Sequence, residues 1–175
     1  MQSNADQPLN NFSNCHVGIV AQLDRLGQLP ALLAPAELAR KTAEAALAFF
    51  PKAVYAHHAE EEQELFPAVR ASAHVGEERV HVESLIDRLT FQHRELERMW
   101  EQLEPELRKV AKGQSSNLDG RLLTELVDAY QAHAQFEEEA FLPLSQTILG
   151  RNSNHMAALG LALHMRHAPY VRAHI

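Results

Sequence analysis

Apolar residues recur at intervals of three and four along most of this chain, the periodicity of amphipathic helices. The first run is Leu9, Phe12, His16, Ile19, Leu23 and Leu26, and Gly27 and Pro30 are expected to end it. Pro35 is placed to open a second helix with the seam Leu47, Phe50, Val54, His57, Glu61 and Leu65, which Pro51 should kink. That helix should close around Pro67 to Ser72, with Gly76 marking the turn into a long third helix over roughly 77–112. The third seam is Ile86, Leu89, His93, Leu96, Trp100 and Leu103, and the fourth, after a polar loop at 112–117, is Leu126, Tyr130, His133, Glu137 and Phe141. Residues 1–8 show no periodicity and read as a disordered or loosely docked arm.

The pattern repeats. The segment from His57 through Glu61 to Leu65-Phe66-Pro67 returns 76 residues later as His133 through Glu137 to Phe141-Leu142-Pro143. The third seam overlies the first at a lag of 77 in all six positions, with His93 on His16 and Trp100 on Leu23. A duplicated helical hairpin with short connections predicts an all-α fold, an antiparallel up-down-up-down four-helix bundle over residues 9–150. The tail at 151–175, with Leu159, Leu161, Leu163 and Met165, is expected to form a short extra C-terminal helix packing on the bundle.

Four histidines and two carboxylates fall on otherwise apolar seams. Each unpaired buried charge costs several kcal/mol, on the order of 3–5. Metal coordination removes that cost, because neutral imidazole and ionised carboxylate are both good ligands. His16, His57, Glu61, His93, His133 and Glu137 are therefore the candidate ligands. Two carboxylates and four imidazoles suit two metals, with a solvent-derived bridge and open positions remaining. Mixed nitrogen and oxygen donors favour iron or manganese over structural zinc, although affinity alone leaves zinc open.

Composition narrows the alternatives. The 175 residues fit one domain, and the net charge of −7 argues against a nucleic-acid partner. No apolar run approaches the roughly 20 residues of a membrane span. One cysteine, Cys15, allows no internal disulfide, and the polar first residues lack the pattern of a signal peptide, so a cytoplasmic location is expected.

The chain resembles the hemerythrin-like, HHE cation-binding family, in which a helix with one His precedes a helix with His-x-x-x-Glu, in duplicate. The resemblance runs from about Leu9 to Pro143. It implies a four-helix bundle holding a non-haem di-iron centre on His16, His57, Glu61, His93, His133 and Glu137. Oxygen-carrying hemerythrins have a second His on the third helix and an Asp on the fourth; here Leu89 and Glu97 flank His93, and Glu137 stands on the fourth. The symmetric set looks more like the iron- and oxygen-responsive ubiquitin-ligase domain and the bacterial iron-centre repair proteins of the family. The repair proteins carry a cysteine-bearing N-terminal segment for which this chain is too short.

The expected function is thus binding or sensing of oxygen, nitric oxide or iron, with peroxide turnover or repair of damaged iron centres as the enzymatic alternative. No separate nucleophile or cofactor loop is visible, and a homodimer is left open. Tyr130, one turn before His133, is the candidate for touching the centre or its ligand. His58, Glu60, Glu62 and Glu138 should face outward, because one residue turns a helix by ~100°. Glu97, four after His93, is within reach of the site as an extra or alternate ligand, but its counterpart in the first helix is Val20, which argues against that role. Cys15 is expected to be a small buried residue. His74, His81, His155 and His174 read as surface residues, and His164 and His167 form a pair with no acidic partner.

Overall fold

A computed structural model of the chain describes residues 6–151, with side chains from His16 onward except at Ala53. The fold is all-α and fits a hemerythrin-like helical bundle, with no strand among the described residues. Helix α1 runs over Asp6–Phe50, and a π-helical turn at Pro51–Tyr55 leads into α2, Ala56–Glu60. A second π turn at Glu61–Leu65 precedes α3, Phe66–Ser72. Gly76, at φ 114°, a conformation open to a residue without Cβ, turns the chain into α4, Glu77–Ala111. Helix α5, Gly120–Phe136, continues through a π turn at Glu137–Phe141 into α6, Leu142–Leu149. The expected C-terminal helix at 151–175 and its histidines lie outside the described residues, apart from Arg151, as do the side chains of Leu9, Phe12 and Cys15.

One connection differs from expectation. Gly27, Pro30 and Pro35 do not end a first helix; α1 passes through them as 45 residues without a break. An interior proline removes one backbone hydrogen bond and crowds the preceding turn, yet neither gives a reversal here. The half of α1 before about Leu38 therefore stands away from the rest, with His16, Ile19, Leu23 and Leu26 all exposed.

The remaining helices pack antiparallel around α4. Near its start, Val82, Leu85 and Leu89 meet Phe66 and Val69 of α3 and Ile148 and Leu149 of α6. Towards its end, Leu96, Trp100 and Leu103 meet Ala43 of α1 and Leu126 of α5. Phe50 stacks on Trp100 with ring centroids 4.2 Å apart and planes 5° from parallel. His93 lies on α4 between Leu89 of the first cluster and Leu96 of the second, so the chemistry sits in a polar layer between two apolar ones.

The connections are latched by carboxylates. Glu78 accepts from the His74 amide at 2.6 Å and from Arg151 at 2.6 and 2.9 Å, tying the α3–α4 turn to the end of α6. Glu106 accepts from the Asn117 amide at 2.7 Å and the Ser116 hydroxyl at 2.9 Å, and Asp119 caps α5 through the amides of Arg121 and Leu122.

Candidate metal centre

The buried positions along the run from α1 to α3 show how the site is built. Val54, His58, Glu61, Phe66, Val69 and Ala73 face inward, at steps of four, three, five, three and four. A step of five would turn a straight α-helix ~140° off its face; the π turn at Glu61–Leu65 absorbs the extra residue and returns Phe66 to the core. On the opposite side His133, Glu137, Phe141 and Ser145 are inward at successive steps of four, which drift ~40° each. The π turn at Glu137–Phe141 takes up that drift.

Two donor sets result. Histidines 58, 93 and 133 each offer one atom within 4.8 Å of the others, as do His57, Glu61 and Glu137. Glu61 lies at their boundary, with Oε2 3.2 Å from His93 Nε2 and Oε1 3.3 Å from His57 Nε2. The rings of His58 and His93 stack 3.9 Å apart, and His133 stands edge-on, 4.9 Å from His93. The structure thus brings together His57, Glu61, His93, His133 and Glu137. It does not bring His16, which is exposed on the outer half of α1.

His58 corrects the expectation that it faces outward: it is 1% exposed and points into the centre. After Val54, a seam of three-then-four reaches His57 and Glu61, and one of four-then-three reaches His58 and Glu61. The α2 helix takes the second, leaving the His57 side chain 41% exposed at the edge of the site.

Each of the three buried imidazoles has a partner on Nδ1 and no hydrogen bond on Nε2, although Glu61 Oε2 stands 3.2 Å from that of His93. Glu62 meets His93 Nδ1 at 2.8 Å, Glu97 meets His58 Nδ1 at 3.0 Å, and the Gln92 side-chain oxygen lies 3.1 Å from His133 Nδ1. All three acceptors call for the proton on Nδ1, which leaves three buried Nε2 lone pairs without a hydrogen bond. Arg94 joins the two carboxylates, pairing with Glu62 and, at 3.0 Å, with Glu97. Glu62, expected at the surface, and Glu97, a rejected extra ligand, thus lie behind two of the buried imidazoles and hold their Nδ1 atoms.

Electrostatics point the same way. Burial pushes His58 down, partly opposed by Glu97, and burial with the neighbouring imidazoles His93 and His58 pushes His133 down to about 4. Both are neutral at pH 7, the form that binds a cation. Burial alone would raise Glu61, but the His93 imidazole and the Glu137 carboxyl reverse the sign and hold it at about 2. Burial, then the Glu61 carboxylate, push Glu137 up to about 9. Two carboxyl groups sharing one buried site divide in this way when no cation neutralises them. Tyr130 is half-buried above the histidines, its ring 5.8 Å from that of His133. Its hydroxyl is pushed up by burial and by Glu61 and Glu137.

Buried imidazole nitrogens and Glu61 carboxylate oxygens without hydrogen bonds, with acceptors on the far nitrogen of each ring, are the arrangement of a metal site. Comparison with known proteins agrees. A protein of Haemophilus influenzae (strain ATCC 51907 / DSM 11121 / KW20 / Rd), described as uncharacterized, is 26% identical over 160 residues, 87% of this chain and 90% of that protein. No solved structure matches. The profile of the hemerythrin HHE cation binding domain matches residues 7–145, most of the chain and every residue of both donor sets, and the chain belongs to that family.

Proposed function

We propose that the protein is a non-haem di-iron module that binds or senses oxygen or nitric oxide. The observation that carries this reading is the pair of adjoining donor sets meeting at Glu61, with three Nε2 atoms free of hydrogen bonds in the core. His58, His93 and His133 would hold one ion and His57, Glu61 and Glu137 the other. Nitrogen and oxygen donors of this kind also accept manganese or zinc. Bound iron supplies a redox-active centre with positions left open to a small ligand.

The chain's own part is orientation and exclusion of water. Glu62, Glu97 and Gln92 fix which imidazole nitrogen faces the ion. The Phe66 ring lies against His93 with centroids 5.9 Å apart, and on the other side of the histidine layer the Phe50–Trp100 stack belongs to the apolar cluster that Tyr130 packs against. An apolar wall around open positions admits a small neutral molecule more readily than a charged substrate. Tyr130, its ring 6.4 Å from that of His58 and 5.8 Å from that of His133, carries a hydroxyl that could offer such a ligand a hydrogen bond.

The test is metal analysis of anaerobically prepared protein, followed by stopped-flow mixing with each gas. About two irons per chain are expected from the donor count, with a change in near-ultraviolet and visible absorption within seconds of mixing. Two bound irons whose spectrum neither gas alters would establish a closed structural or storage site instead.

A further inference from the structure

We propose that the outer half of α1 is the missing wall of a second copy's site: two chains exchange these arms, and His16 of each completes the donor set of the other. The proposal rests on the metal-binding reading for the role of His16, but not for the assembly itself.

Three observations lead to it. First, the arm carries a stripe with no partner among the described residues: Ile19, Leu23 and Leu26 are 50%, 59% and 61% exposed. Such a continuous apolar stripe marks a contact surface. Second, this stripe is the seam of α4 in duplicate, His16 standing for His93 and Leu23 for Trp100. The α4 seam is buried against the two helical runs, from α1 to α3 and from α5 to α6, that carry His58–Glu61 and His133–Glu137. A stripe with the same spacing fits the same kind of surface. Third, the arm cannot reach its own bundle while α1 is continuous. From His16 to Ala43, the first residue of α1 buried in the core, the helix rises about 40 Å.

The α4–α5 hairpin supplies the register. There His93 faces His133 across an antiparallel pair, with rings 4.9 Å apart. Carried over by the repeat, His16 of one chain faces His57 of the other, the least enclosed member of its donor set. Two α1 helices lying antiparallel in that register cross on a two-fold axis between Ala36 and Glu37, midway from His16 to His57. The arrangement is closed and self-complementary, so both arms are covered and no further copy is recruited.

The test combines mass and mixing. Light scattering on the metal-free full-length protein should give twice the 19.6 kDa chain mass, and replacing Leu23 and Leu26 with Glu should give one chain mass. Both residues are exposed, so the double variant keeps the packed helices. A wild-type monomer, or a Leu23→Glu/Leu26→Glu protein that stays dimeric, would overturn the exchange. Differently tagged His16→Ala and His133→Ala chains are then refolded together, and the mixed dimer is isolated and loaded with ferrous iron. Exchange predicts one intact site per mixed dimer, hence roughly half the wild-type iron and clearly more than the mean of the two parent variants. Iron equal to that mean shows that His16 serves its own chain or none. A wild-type dimer that takes up no iron refutes the proposed function and leaves the exchange standing.

Discussion

Replacing Glu62 isolates what the outer acceptors contribute. Its carboxylate lies 2.8 Å from Nδ1 of His93, a ring with no exposed surface. In Glu62→Leu the Nδ1–H loses its acceptor, the ring is free to carry its proton on Nε2, and that nitrogen can no longer coordinate. Losing one such partner lowers metal affinity by about 10–100-fold, or about 1.4–2.8 kcal/mol. In Glu62→Gln the amide oxygen can still accept from Nδ1–H, but the charge facing His93 and Arg94 is gone, so the loss should fall at the low end. Ferrous iron titrated against a chelator of known affinity, under anaerobic conditions, gives both numbers. Circular dichroism of the metal-free variants checks that the helices remain. Wild-type affinity in a folded Glu62→Leu protein would refute the claim that this contact fixes the His93 ring.

Trp100→Ala removes a buried ring from the stack with Phe50 and should cost about 3–5 kcal/mol in urea unfolding; a loss under 1 kcal/mol would mean that the cluster collapses onto the gap. Chelation should lower the midpoint of thermal unfolding, because a ligand at 100 times its Kd stabilises by about 2.7 kcal/mol; an unchanged midpoint in demonstrably metal-free protein would show that the site residues satisfy one another. Lys109, the Asn117 amide and the Ser116 hydroxyl hold Glu106 at about 2, well below its ordinary value of 4.5. A depressed carboxylate stabilises fully above its unfolded pKa, and that contribution is lost as pH falls through the folded value. The stability gap between wild type and Glu106→Gln should therefore be constant above about pH 5.5 and shrink between about pH 4.5 and pH 2; a gap independent of pH across that window would contradict the latch.

Much of this architecture was legible in the chain. The loop at 112–117 and the glycine turn at Gly76 stand where the turn chemistry put them, and α4 ends within a residue of expectation. The repeated His-x-x-x-Glu pointed to the level of the bundle where the donors meet. Four things were not legible, for physical reasons. Steps of three-then-four and four-then-three lie on the same helical face, so periodicity alone could not choose between His57 and His58, and a π turn leaves no mark in an apolar pattern until the five-residue step from Glu61 to Phe66 is seen. The roles of Glu62 and Glu97 follow from their distances across helices to His93 and His58, which spacing within one helix does not contain. Gly27, Pro30 and Pro35 are ordinary helix-ending residues, and local propensity did not reveal that α1 would continue through them.

Two ions should lie side by side among six side chains, His57, His58, Glu61, His93, His133 and Glu137. Anomalous diffraction at the iron edge, from crystals of anaerobically loaded protein, tests this most directly. Two peaks are predicted in each bundle, one against Nε2 of His58, His93 and His133 and one against His57, Glu61 and Glu137, with Glu61 adjoining both. A single peak, or iron bound away from these residues while the three Nε2 atoms stay unligated, would contradict it.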